Sequence, residues 1–93
     1  PARMRAVRVV VRGRVQGVGF RAFVLRRASD ERLAGWVRNQ PDGSVECEAH
    51  GHADALERFV EALQAGPRQA RVEHAAVQGF EAAGAPDGFR VTG

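Results

Sequence analysis

Nine consecutive residues, Gly13-Arg14-Val15-Gln16-Gly17-Val18-Gly19-Phe20-Arg21, hold three glycines and two arginines and no acid, serine, cysteine or lysine. Glycine lets successive backbone N–H groups converge on one point, and a helix that follows adds its partial positive end. Such a loop can cradle an anion. Arg21 falls in the first turn of that helix, where a cation is disfavoured by about 0.3–1 kcal/mol, and Arg14 lies at the other end of the loop. A cation set against the dipole, beside converging donors, makes sense when a dianion occupies the centre. A plainer reading stands beside this one: Arg21 points to solvent, and Gly17 and Gly19 only turn the chain.

Other chemistries fit less well. Gly17-Val18-Gly19-Phe20-Arg21-Ala22 matches the dinucleotide pattern G-x-G-x-x-[G/A], but a doubly wound fold needs more parallel units than this chain holds. Asp42, roughly where a ribose-binding acid would fall, is better used in the turn Pro41-Asp42-Gly43. A cysteine phosphatase needs an arginine six residues after its thiolate, and Ala53 stands there after Cys47. Cys47 instead reads as a small buried hydrophobe. His50, His52 and His74 lack the further ligands a metal site requires and are expected to face solvent. Ser29, Ser44 and Thr92 have no nucleophile-elbow context. Covalent and metal-dependent catalysis are therefore not expected.

Composition narrows the choice further. All 14 basic residues are arginine, which excludes a P-loop lysine, a Schiff base and a lysine general base. Arginine stays charged and presents a planar fork suited to phosphates and carboxylates. The net charge of +3 slightly favours an anionic partner, although arginine-rich composition also arises from coding bias alone. A single cysteine cannot form an internal disulfide, so a reducing cytoplasm is the expected compartment. No long apolar run or signal pattern is present, and no membrane association is expected. Pro1 points to loss of an initiator methionine or to trimming. At 93 residues the expectation is one domain, 1–93, with any site on the edge of a single core.

The elements that must position the loop are legible in outline. Residues 5–12 place Val7, Val9 and Val11 on one face of a first strand. Phe20, Phe23, Val24 and Ala28 repeat at helical spacing, and Gly35 is expected to close that helix as its C′ residue. Trp36–Asn39 forms a short strand, the Pro41-Asp42-Gly43 turn follows, and residues 44–51 alternate Val45, Cys47 and Ala49 against Glu46, Glu48 and His50. Leu56, Phe59, Val60 and Leu63 make the stripe of a second helix ended by Gly66-Pro67. Residues 70–80 read as a fourth strand and Phe89–Val91 as a short closing one. A right-handed crossover and a hairpin then give an α+β, ferredoxin-like βαββαβ two-layer sandwich: a mixed sheet with two helices on one face, its other face toward water. RNA-binding sheets of this fold stack bases on aromatics of the central strands. Strands one and three have none, and the chain has no tyrosine, so no nucleic acid is expected.

With these residues on the page, the chain resembles the acylphosphatase family. The likeness rests on GRVQGVGFR, on Gly35-Trp36-Val37-Arg38-Asn39, on PDGSVE and on the ALERF helix, and it runs over essentially the whole length. It implies the same ferredoxin-like fold, hydrolysis of acyl phosphates to carboxylate and inorganic phosphate, and no metal or other cofactor. It implies that Arg21 is the catalytic phosphate-binding arginine and that Asn39 orients the attacking water. The backbone amides of Gln16, Gly17, Val18, Gly19 and Phe20 would form the phosphate cradle. Helix one follows strand one, and Asn39 ends the parallel strand two, so both halves emerge at one edge of the sheet. Many relatives carry threonine after the asparagine; Gln40 stands there in this chain, followed by Pro41, and a hydroxyl that would help fix Asn39 is missing. The implied partners are a small acyl phosphate and inorganic phosphate, with the protein acting as a monomer. Similar modules begin hydrogenase-maturation carbamoyltransferases, which gives one alternative. A non-catalytic anion- or RNA-binding module of the same fold is another.

Overall fold

Alternation along a strand sends successive side chains to opposite faces. In the computed structural model, which describes residues 4–93, strand β1 (Met4–Arg14) accordingly buries Val9 and Val11 and packs the half-buried Val7 beside them. The reading of Pro1 lies outside the described residues. After β1 come helix α1 (Phe20–Asp30), strands β2 (Ala34–Asn39) and β3 (Val45–His52), helix α2 (Ala53–Ala65), and strands β4 (Arg71–Phe80) and β5 (Phe89–Val91). Among the described residues no helix is long and apolar enough to cross a membrane.

The five strands lie in the order β4-β1-β3-β2-β5. β3 runs antiparallel to both β1 and β2, so those two are parallel to each other with one strand between them. β5 adds itself parallel to β2 at the edge. Consequently the C-terminal ends of β1 and β2 emerge on the same side of the sheet, one strand apart. This is the expected ferredoxin-like arrangement.

Both helices cover the face bearing Val9, Val11, Val37, Val45, Cys47 and Ala49. α1 contributes Phe20, Val24 and Ala28, and α2 contributes Ala55, Leu56, Phe59 and Leu63. Phe20, Phe59 and Leu63 are the largest fully buried side chains; removing each from water is worth about 1.5–3 kcal/mol. α2 stops at Gly66, whose N–H reaches Ala62 O at 2.9 Å.

The end of α1 departs from expectation. The helix closes at Asp30, and Arg32 then takes a left-handed conformation with φ 57°. Gly35 is not a helix cap but part of β2, at φ 149°. A Cβ there would lie 1.9 Å from the carbonyl oxygen of Glu48 on β3, and the Gly35 N–H donates to Gly88 O at 2.8 Å. Close approach of neighbouring backbones, rather than helix termination, is what requires glycine at this position.

The other face of the sheet is less open than the alternation suggested. Arg8 sits opposite Glu48, and Arg38 opposite Glu46. Arg8 donates to Glu48 at 2.9 Å, and Arg38 donates to Glu46 through two nitrogens at 2.9 and 2.7 Å. His50, expected in solvent, is only 5% exposed. Its Nε2 lies 2.9 Å from Glu48 Oε2 and its ring meets Phe80 edge-on at 6.1 Å. Burial alone would raise the Glu48 carboxyl, but the hydrogen bonds from His50 and Arg8 outweigh it and hold the group below its ordinary value. His52 and His74 are exposed, as expected.

Candidate active site

The glycine-rich loop is pinned at both ends by side chains that cannot leave the core. Val15 and Phe20 are 1% and 2% exposed, so the turn through Gln16, Gly17, Val18 and Gly19 must complete itself in four residues. Gly17 and Gly19 do this with φ 74° and 78°, the left-handed region that costs other residues about 1–2 kcal/mol. A Cβ at either position would meet nothing within 4 Å. The requirement is conformational and leaves open space above the loop.

Gly19 is the N-cap of α1 and supplies no side chain to close it. The first helical hydrogen bond runs from Phe23 N–H to Gly19 O at 3.0 Å. The N–H groups of Phe20, Arg21 and Ala22 precede it and have no partner within the helix. No acid stands in the first turn. The positive end of α1 is thus bare, and it faces the same space as the loop.

That space is a cleft of about 410 Å³ lined by Gly17, Gly19, Arg21 and Asn39, with Val15, Phe20, Ala22, Leu25 and Val91 as its apolar walls. Arg21 and Asn39, the two side chains singled out in the sequence, therefore share one cleft, and the glycines of the loop form its floor. Arg14, at the far end of the loop, closes β1 opposite Arg71 and does not line it. The guanidinium of Arg21 is steered by one hydrogen bond, from Nη1 to Gly93 O at 2.8 Å. The backbone N–H of Asn39 reaches the same oxygen at 3.4 Å. Asn39 Oδ1 is buried and makes no hydrogen bond among the described residues.

Among the described residues no Asp, Glu, His or Cys side chain lines this cleft. Among the described residues no three His, Cys, Asp or Glu side chains gather as a possible metal site. Cys47 lies in the core, where burial pushes its thiol up to about 12. What the cleft offers a ligand is a fixed positive charge, a carboxamide and backbone N–H groups. This set suits a phosphoryl group whose negative charge is spread over several oxygens.

Two contributors were not legible beforehand. The side chain of Gln16 turns away from the cleft and donates through Nε2 to Gln40 O at 2.7 Å and to Ser44 O at 2.9 Å. Its partners belong to the β2–β3 turn, and only its place as the one uncharged polar side chain of the motif hinted at a role. Gly93 had no sequence signal at all. The turn itself is held by Asp42 Oδ1, which accepts from Ser44 N–H at 2.9 Å and Ser44 Oγ at 2.6 Å. Those bonds, chiefly from the hydroxyl and then from the N–H, together with Arg12, hold the Asp42 carboxyl down to about 2.

Comparison with known proteins points to one family and one fold. The family model described as Acylphosphatase matches residues 7–91. An acylphosphatase of Salinibacter ruber is 57% identical over 81 residues, covering 87% of this chain and 85% of that one. The crystal structure of acylphosphatase from Bacillus subtilis superposes with a TM-score of 0.91 at 41% identity, covering 95% of this chain and 98% of that one. The whole of this chain also matches 12% of HypF, solved in a phosphate- and nucleotide-bound form, at a TM-score of 0.90 and 26% identity.

Proposed function

The chain belongs to the acylphosphatase family, and from that premise we propose that it hydrolyses acyl phosphates with Arg21, Asn39 and the loop amides as its working parts. The observation that carries this reading is the single cleft lined by Arg21, Asn39 and the bare first turn of α1. The phosphoryl group lies over the Gln16–Phe20 amides, with the fork of Arg21 on its equatorial oxygens. Asn39 holds a water in line with the bond to be broken. The water oxygen forms the new P–O bond as the old one breaks, and the carboxylate leaves with the bonding pair. A phosphate oxygen accepts the water proton.

Such a reaction needs little from the protein beyond position and charge. The departing carboxylate has a conjugate-acid pKa near 4, like free Asp or Glu, so no general acid is required. This fits a cleft without titratable carboxylate, imidazole or thiol. Metal-free turnover follows from the same set of groups. The phosphate dianion is met by Arg21 and by N–H donors, and among the described residues no oxygen-rich ligand cluster adjoins it.

The protein acts on this reading as a monomer in the cytoplasm. Among the described large apolar side chains only Val77 and Val91 are prominently exposed, and Val91 belongs to the cleft. The thiol of Cys47 is protected in the core. A nucleic-acid module gains no support from the sheet, whose central strands β1 and β3 present Arg8 with Glu46 and Glu48, arranged as ion pairs.

The deciding experiment is hydrolysis of an aryl acyl phosphate in excess EDTA. Undiminished turnover is expected. Turnover lost to the chelator would end the metal-free mechanism, and absence of hydrolysis under both conditions would end the proposal as a whole.

A further inference from the structure

Phosphoryl transfer by positioning demands that the phosphate cradle and the water-holding side chain keep a fixed separation. In this fold they belong to different pieces of chain. The cradle follows β1, whereas Asn39 ends β2, and β3 runs between those strands. The sheet ladder therefore does not join the two directly.

The side chain of Gln16 does. A primary carboxamide carries two N–H donors, and both are used: one on Gln40 O at 2.7 Å, the other on Ser44 O at 2.9 Å. Those two carbonyls flank the β2–β3 turn, which closes on itself through Gln40 N–H to Ser44 O at 2.8 Å and Gly43 N–H to Gln40 O at 3.1 Å. Turning the amide over would set its oxygen against two carbonyl oxygens, so the network fixes its orientation. Gln40 is the residue next to Asn39, and Gln16 opens the cradle. One half-buried side chain thus ties the loop to the neighbour of the water-holding residue.

We propose that the Gln16 side chain is a positioning residue that sets the separation between the phosphate cradle and Asn39. The proposal rests on the reading of Arg21 and Asn39 given above. It assigns the side chain a task distinct from that of the Gln16 backbone amide. It also supplies a substitute for the hydroxyl missing at Gln40: the residue after Asn39 is held through its backbone carbonyl instead of its side chain.

The test is a double-mutant cycle with an aryl acyl phosphate as substrate and inorganic phosphate as the binding probe. Gln16→Ala is expected to lower kcat about 10- to 100-fold, the scale of a roughly 1 Å misplacement, while the Kd for phosphate moves far less. Placed on Asn39→Ala, the same substitution is expected to cost little more, because residues that act through one another are not additive. If the two losses multiply, Gln16 does not act through Asn39 and the proposal falls. If Asn39→Ala alone turns over normally, the underlying reading of Asn39 fails instead.

Gln16→Glu gives a second readout that simple loss of folding would not produce. Its carboxylate would face two carbonyl oxygens, which raises its pKa. Protonation would then restore one donor. The ratio of mutant to wild-type kcat is expected to rise as pH is lowered from about 8 to about 5. A ratio that stays flat or falls overturns the proposal.

Discussion

Arg21 and Asn39 meet at one acceptor. The Arg21 guanidinium donates to the Gly93 oxygen at 2.8 Å, and the backbone N–H of Asn39 donates to it at 3.4 Å. One oxygen therefore orients the charged clamp and the end of the strand that carries the carboxamide. Arg21→Gln and Asn39→Ala are each expected to lower kcat by about 10²–10³, the range seen on removing one pre-set donor from a transition state. Far-ultraviolet circular dichroism should be unchanged. Inorganic phosphate should raise the Tm of wild type but not of Arg21→Gln; equal protection of both proteins would remove Arg21 from the cradle.

The two kinds of glycine should separate function from stability. At Gly19 a side chain would find open space but would have to hold φ 78°. Gly19→Ala is expected to cost about 1–2 kcal/mol and to weaken phosphate binding as the loop relaxes. At Gly35 the added carbon would lie 1.9 Å from the carbonyl oxygen of Glu48. Gly35→Ala should cost about 3 kcal/mol or more by overpacking, with no direct effect on phosphate contacts. Denaturant unfolding and phosphate titration of the two variants, compared side by side, check this. A Gly35 variant that is the milder of the two in unfolding would contradict it.

Asp42 gives the turn an acid limit. Its carboxyl is held down to about 2 from an ordinary 3.8 by Ser44 and Arg12. A lowered folded-state pKa contributes stability that is fully present above the unfolded value and is lost as pH falls through the folded one. The denaturant midpoint of wild type should therefore exceed that of Asp42→Asn by a constant margin from pH 7 to 5, and that margin should shrink steadily from about pH 4 to pH 2. A margin undiminished at pH 2 would point to some contribution other than ionisation.

Cys47 should be chemically silent. Burial lifts its thiol to about 12, so almost no thiolate exists at neutral pH. A disulfide reagent at pH 8 is expected to leave the native protein unlabelled and active, and to label one thiol after denaturation. Rapid labelling of the folded protein with loss of turnover would bring the cysteine back as a participant.

Much of this was readable in the sequence wherever the signal was local. Valine alternation gave β1, the Leu56-Phe59-Leu63 stripe gave α2, and the PDG turn placed β3 beside β2. The positions of the loop and of Asn39 were legible too, because a strand, a tight turn and a helix follow one another without a gap. What escaped was decided by residues far apart in the chain. No glycine or proline stands between Ala28 and Gly35, so little nearby announces that α1 ends at Asp30. Gly35 resembles a cap until the Glu48 carbonyl is known to lie against it. Alternation put His50 on the correct face but could not show Phe80 and Glu48 closing around it. In the same way the Gln16 amide is visible as a residue, whereas its two acceptors exist only once the β2–β3 turn has folded beneath it.

The strand order has a last consequence for how this chain can change over time. The groups assigned to the chemistry, from Val15 to Ser44, fall within the first half, and the rest of the cleft comes from the chain around β5. α2 and β4 supply packing and an outer edge, but no side chain of theirs lines the cleft. Mutational tolerance should be divided accordingly. Residues 53–80 can drift as long as their buried stripe keeps its volume, while the segment around the cradle leaves almost every substitution exposed to selection.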